Sequence, residues 1–306
     1  MPIMSTGAHH GYQVALFDIL GFERKLASRG LTSIAEAYEA LISDVEARNR
    51  HMAKLFGPMG FSEAPYWTSD GDVFIFNKIF GAFASDSILL WAHRTWPDVR
   101  DKKREDLARL AGNPADGWKA HPIPCDNFLD TCNEVMCHGL EIGLPLRGAL
   151  SMGEAVLDED RRVFLGQPIV EAARMEKVQR FIGASLCSSF TSQTIPKRFT
   201  LPFSEHLKDS PPAVWSGLTL DWPRHWRNTR RHDAGEVISA LDVEQEFSAY
   251  YSNTRRFLNA SRAVGTQHQA VADISIRTQY PEFSSPELAV NARAVRRVPI
   301  ERENHR

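Results

Sequence analysis

The run YQVALFDILGF (12–22) is made of strand-forming apolar residues, broken by the single carboxylate of Asp18 and followed at once by Gly21. A charge among apolar neighbours is costly to leave unpaired, so Asp18 must be hydrogen-bonded, ion-paired or metal-bound. Asp86, in ASDSILLW, is a second carboxylate in a similarly apolar setting, at the polar break Ser85-Asp86-Ser87. Two such groups on adjacent strands can hold a divalent cation through oxygen. Beside Asp18, ILGFERKL begins a helix just after a glycine, where backbone N–H groups without helical acceptors can bind a phosphate. Arg174, on a helix following Gly166, has a fixed positive charge able to stabilise charge developing on a phosphoryl group. Each residue alone also has an ordinary reading. A strand-end Asp is more often a cap than a ligand, and a lone helix Arg is more often solvated or salt-bridged.

Positioning these residues requires a particular order of elements. After the opening strand, SIAEAYEALISDVEARNRHMAKLF (33–56) repeats apolar residues at helical spacing. The stretch 66–92, rich in aromatic and β-branched residues, predicts two strands joined by a tight turn that carries Asp86. Residues 97–122, charged and broken by Pro and Gly, predict an exposed helix and loop. DNFLDTCNEVMCHGLEIG (126–143) reads as a core helix, PLRGALSMGEAVLDEDRRVFLGQ as a second hairpin, PIVEAARMEKVQRF as a helix starting with Pro, and GASLCSS as a strand. Strand, helix, hairpin, helix, hairpin, helix, strand predicts an α+β domain, helices on a mainly antiparallel sheet, over 10–195. Residues 196–290, with AVWSGLTLDWPRHW and the helical EVISALDVEQEFSAYYSNTRRFLNAS, form a C-terminal extension packed on it, and 291–306 a mobile tail.

The chain has 306 residues, enough for one large domain or one domain with a smaller companion. A net charge of −2 gives no basic excess, so no nucleic-acid surface is expected. No signal-peptide pattern and no apolar run of membrane length is visible, which predicts a cytoplasmic protein without a membrane partner. Four cysteines are too few for a disulfide scaffold. Cys132, Cys137 and His138 can in principle ligate zinc, but buried helix cysteines are the commoner outcome.

The order FDILGF, ASDSILLW, RGALSMGE, FLGQPIVEAARME resembles the signature order of class III nucleotidyl cyclases, over about 10–190. The resemblance implies a cyclase homology domain with Asp18 and Asp86, assisted by Ile19, as ligands of two divalent ions, Mn²⁺ or Mg²⁺ per site. It implies that Ile19, Leu20, Gly21 and Phe22 cradle a triphosphate through their backbone amides. GQPIVEAARME aligns with the family pattern GxxVNxAxRxE, which makes Arg174 the transition-state arginine. In the family the metal aspartates and this arginine come from different protomers, so a head-to-tail homodimer with two shared sites is implied.

Three positions depart from the pattern. Val170 stands where the family has a ribose-orienting Asn, and Ala82 and Val163 stand where adenylyl cyclases read adenine with Lys and Asp. Together with ASDSILLW, LDWPRHW and YYSNTRRFL, this is similar to the pyrimidine cyclases of the bacterial Pycsar anti-phage system. Such a protein makes cyclic UMP from UTP, or cyclic CMP from CTP, and signals to a separate cyclic-nucleotide-binding effector. The expectation is a uridylate cyclase. A cytidylate cyclase, a purine cyclase with other base contacts, and a silent cyclase-homology binding domain are the alternatives. Arg94, in AHRTW, can donate to a uracil oxygen, and equally reads as a surface Arg.

Overall fold

The computed structural model describes residues 10–55, 65–67, 73–75, 78–94, 125–158, 161–192, 195–206, 208, 214–241 and 245–279. The run around Asp18 forms β1 (His10–Ile19), which lies between β5 (Ser87–His93) and β6 (Leu146–Asp158), antiparallel to both. Covered on both faces, β1 buries Val14, Ala15 and Phe17 completely. This explains its almost unbroken apolar composition. The main sheet runs β4 (Phe80–Ala84), β5, β1, β6, β8 (Gly183–Leu186), β10 (Val214–Leu220), β9 (Thr200–His206), with β7 (Val163–Gly166) paired to β6. Among the described strands of this sheet, only β6 and β8 pair in parallel. The fold is α+β with a mainly antiparallel sheet flanked by helices, as the element order predicts.

Two local expectations need correction and one is extended. Helix α1 (Phe22–Leu55) starts directly after Gly21, as ILGFERKL suggests, and runs on into the stretch from 33, with Gly30 (φ 79°, ψ 161°) kinking it. Its first turns escape periodicity because they are exposed, whereas Ile34, Ala37, Leu41 and Val45 beyond the kink are buried. The stretch 66–92 holds parts of four strands: β2 (Pro65–Trp67) and β3 (Val73–Ile75) form a separate small ribbon, and β4–β5 is the hairpin with Asp86 in its turn. The long C-terminal helix is interrupted, appearing as α6 (Ala234–Ala240), a 3₁₀ turn (Gln245–Phe247) and α7 (Ser248–Gln279). The predicted helix and loop over 97–122 and the tail 291–306 lie outside the described residues.

Helices α2 (Asp126–Glu141), α3 (Gln167–Val178), α4 (Ser188–Thr191) and α5 (Trp222–Thr229) complete the elements used below. In α2, Cys132 and Cys137 are fully buried, and burial pushes both thiols well above their ordinary pKa. Cys137 Sγ lies 3.4 Å from the Trp222 carbonyl, while His138 turns to the Asp44 carboxylate. The chain divides into two compact units, 1–258 and 259–306. The first takes in the segment after 195 because β10 pairs with both β8 and β9. Of the second, the described residues 259–279 are helical.

Candidate functional site

Asp18 sits at the carboxyl end of β1, opposite Ser87 on β5 and Arg147 on β6. The β4–β5 turn is bound to this strand end: Ile19 N–H donates to the Asp86 carbonyl at 2.9 Å. Ser85 takes the left-handed conformation (φ 54°) that tightens the turn, and the Tyr38 hydroxyl of α1 donates to its carbonyl. The two carboxylates found in the sequence therefore line one cleft at the end of the sheet where β1 stops and β5 begins. Their fields overlap. Burial raises the Tyr38 phenol to about 12, helped by the negative charges of Asp86 and Asp18. The Asp18 carboxyl is itself held above its ordinary pKa, first by burial and then by repulsion from Asp86, against the opposing pull of Arg147.

Arg147 is the residue the sequence reading missed. Its Nε donates to Asp18 Oδ2 at 2.9 Å and lies 2.7 Å from Glu176 Oε1, and its Nη1 donates to the Tyr250 hydroxyl at 2.9 Å. Two carboxylates thus share one guanidinium. Burial raises the Glu176 carboxyl too, with Arg147 lowering it and Asp18 raising it again. Among the described residues, Asp86 has no ion-pair partner; its Oδ1 accepts only a long 3.4 Å contact from Ser87 Oγ.

A cleft of about 740 Å³ opens over these groups, lined by Asp18, Asp86, Arg147, the start of α1 and, from the C-terminal segment, Glu246 and Phe247. Gly21 (φ 68°) makes the sharp turn from β1 into α1, a conformation that disfavours a side chain. Of the four amides expected to cradle phosphates, two have backbone acceptors: Ile19 N–H bonds Asp86 O and Leu20 N–H bonds Pro145 O at 3.0 Å. The amides that remain suited to an anion are those of Phe22 and Glu23, which precede the first intrahelical bond, from Lys25 N–H to the Gly21 carbonyl at 3.0 Å.

The donor chemistry at this edge suits a hard divalent cation. Carboxylate oxygens are hard donors, and Asp18 and Asp86 repel one another until a positive charge separates them. Among the described residues no cluster of three or more His, Cys, Asp or Glu is spaced to hold a metal. Two carboxylates alone leave most of a coordination sphere to water, backbone carbonyl and phosphate oxygens, the manner in which Mg²⁺ is held in nucleotide enzymes.

The other predicted residues lie elsewhere in the chain. Arg174 and Val170 project from the exposed face of α3, one helical turn apart, and neither lines the cleft. Glu176, two residues further along, points inward to Arg147. Arg94 follows β5 at the end away from Asp86, a strand length of roughly 20 Å, with its N–H bonded to Gly11 O. Ala82 packs on an apolar cluster of Tyr12, Val14, Leu89, Trp91 and Ala155, and Val163 opens β7. No helix in the described residues is long and apolar enough to cross a membrane.

No family model matches the sequence, and no curated protein matches it. The fold is similar to that of several solved structures, among them three cyclases. One is the catalytic core of a rhodopsin-guanylyl cyclase with converted specificity, in complex with ATPαS, at 11% identity over 69% of this chain and 96% of that one (TM-score 0.43). Another is an adenylate cyclase from Trypanosoma brucei in its monomeric state, at 13% identity over 71% and 91% (TM-score 0.37). The third is a bacterial light-regulated adenylyl cyclase, at 9% identity over 78% and 58% (TM-score 0.35).

Proposed function

We propose that this chain is a metal-dependent nucleotidyl cyclase that converts UTP to 3′,5′-cyclic UMP and pyrophosphate, serving as a cytoplasmic second-messenger enzyme of anti-phage defence. The observation that supports it most is the convergence of Asp18 and Asp86 on one cleft beside the start of α1. Two hard carboxylates and a row of helix-terminal amides suit a nucleoside triphosphate and its divalent ions. In the reaction the ribose 3′-oxygen attacks the α-phosphorus, the bond to the β-phosphate oxygen breaks, pyrophosphate leaves and the 3′-hydroxyl proton passes to solvent. Mn²⁺ or Mg²⁺, when bound, would acidify that hydroxyl and neutralise the phosphates. Asp18 and Asp86, with the Ile19 carbonyl, would hold the ions, and the Phe22 end of α1 would receive the phosphate chain.

Arg174 acts on the α-phosphate of a second protomer in this reading. It is exposed, makes no ion pair among the described residues and lies outside its own chain's cleft, which suits a homodimer with shared sites. Ala82 and Val163 offer no polar side chain to a purine edge, which favours a pyrimidine. Arg94, far along β5 from its own Asp86, can serve the base only across the dimer.

Incubating the protein with each of the four nucleoside triphosphates and Mn²⁺, then separating the products, tests the reading. Cyclic UMP from UTP is expected. Cyclic CMP from CTP shifts the assignment to a cytidylate cyclase. No product from any nucleotide, with Mn²⁺ bound and the protein folded, marks a silent binding domain. Mixing Asp18→Ala and Arg174→Ala chains restores part of the activity if sites are shared, and restores none if each chain works alone.

A further inference from the structure

The guanidinium of Arg147 is in an unusual position. Its Nε carries one hydrogen, which is donated to Asp18 Oδ2 at 2.9 Å. Glu176 Oε1 lies nearer, at 2.7 Å from the same nitrogen, yet it is buried and receives no hydrogen bond. A buried carboxylate oxygen without a donor, beside a donor committed to another group, is an alternative partner already in place. Meanwhile Nη1 is held by the Tyr250 hydroxyl at 2.9 Å, and Tyr250 is itself buried. Turning the guanidinium about this anchored Nη1 moves the Nε–H from Asp18 to Glu176, and a cation bound at Asp18 then replaces the charge that Arg147 withdraws.

We propose that Arg147 is an exchangeable counter-ion: with no divalent cation bound it neutralises Asp18, and as Asp18 ligates a cation the Nε–H passes to Glu176. Glu176 and Tyr250 are then positioning residues for the metal site, acting through Arg147. The idea rests on the reading of Asp18 and Asp86 as ligands, and adds how the chain keeps the site assembled before a cation arrives. It also follows that α3 has two tasks on opposite faces, Arg174 outward and Glu176 inward.

Mn²⁺ affinity measured by calorimetry, without nucleotide, provides the test. Glu176→Gln replaces the alternative anion with a neutral amide, a weaker acceptor for the guanidinium, so Arg147 stays on Asp18 and the dissociation constant rises about tenfold, the scale of one hydrogen bond to a charged group. In an Arg147→Gln background there is no guanidinium to hand over, and Glu176→Gln changes affinity less than threefold. Equal weakening in both backgrounds would mean that Glu176 acts only through space, and no change in either would mean that it does not act at all; both overturn the proposal. The wild type supplies a second measurement independent of whether the variants fold. The arginine Nε–H resonance that Mn²⁺ broadens first should shift on titration with Mg²⁺, and an unmoved resonance overturns the exchange. Mn²⁺ binding lost in Asp18→Asn but untouched by Glu176→Gln defeats this inference alone. A wild type that binds no Mn²⁺ defeats the underlying metal site as well.

Discussion

Among the described residues of the first unit, two clusters of charged side chains are built in opposite ways. Between α2 and α5, carboxylates are matched by cations. Arg230 donates to Glu134 from both Nη atoms, at 2.7 and 2.6 Å, and from Nε and Nη2 to Glu141 at 3.1 and 3.0 Å. His225 Nε2 bonds Glu134 at 2.7 Å, and Arg48 pairs with Asp130 at 2.8 Å. Burial opposes the charged forms here, but hydrogen bonds from His225 and Arg230 bring the Glu134 carboxyl down to about 2. Asp44, with His138 as its one donor among the described residues, is the exception, its carboxyl raised by burial. In the cleft the balance is reversed: one guanidinium serves Asp18 and Glu176, Asp86 adds a third negative charge, and both Asp18 and Glu176 are held high. Hydrogen bonds favour the charged form of Glu134 in the first cluster, while in the second burial disfavours the charged Asp18 and Glu176 carboxylates, a penalty that a bound cation or a neutral substitution relieves.

The substitution expected to separate the two most is Asp18→Asn. Activity should fall by more than ~10³-fold, beyond the loss typical of one transition-state donor. The fold should not weaken. Because burial already disfavours the Asp18 carboxylate, the neutral isostere relieves a penalty and leaves Arg147 to Glu176, and the thermal midpoint should hold or rise by a few degrees. Loss of activity together with a clearly lower midpoint would place Asp18 among the structural carboxylates and erase the contrast.

The contrast was only partly visible in the sequence. Asp18 and Asp86 stood out because each is a single charge in an apolar run, and such a charge demands a partner wherever the chain folds. Arg147 did not, since an Arg in LPLRGAL reads as an ordinary strand end. Its importance depends on the β1–β6 register that sets it opposite Asp18, 129 residues away in sequence. Glu176 reads as a solvent-facing helix charge in AARMEKV, and only the packing of α3 on β6 turns it inward. The start of α1 after Gly21 was legible, but its continuity with the stretch from 33 was not, because the exposed residues around Gly30 carry no apolar period. The α2–α5 cluster was invisible for the same reason as Arg147: its pairs join residues about ninety positions apart.

Arg230→Ala should have the next largest effect, on stability alone. The Arg230 side chain is 11% exposed and its partners Glu134 and Glu141 about a third, so the removal should weaken the fold by ~2–3 kcal/mol in urea unfolding, below the range for wholly buried pairs. Arg230→Lys keeps the charge but cannot bridge both carboxylates at once, and should recover about half of that loss. Mn²⁺ affinity should be unchanged in both variants. A shift in metal binding would show that the clusters are coupled rather than separate.

The smallest effect should appear in the pH dependence of stability above neutrality. Burial opposes a charged His225, yet hydrogen bonds to Asp130 and Glu134 and the charges of those carboxylates raise its pKa from 6.5 to about 9. A group whose folded pKa stands above its unfolded value stabilises the protein fully below about 6.5, and that contribution is lost as pH rises through about 9. Between pH 7 and 9 the urea-unfolding free energy should therefore fall by ~1–2 kcal/mol. In His225→Gln, which keeps hydrogen-bonding atoms but cannot be protonated, the curve should be flat over that interval while starting from a lower value. A slope in the variant equal to that of the wild type would assign the titration to another group and leave Arg230 as the main cation of the α2–α5 cluster.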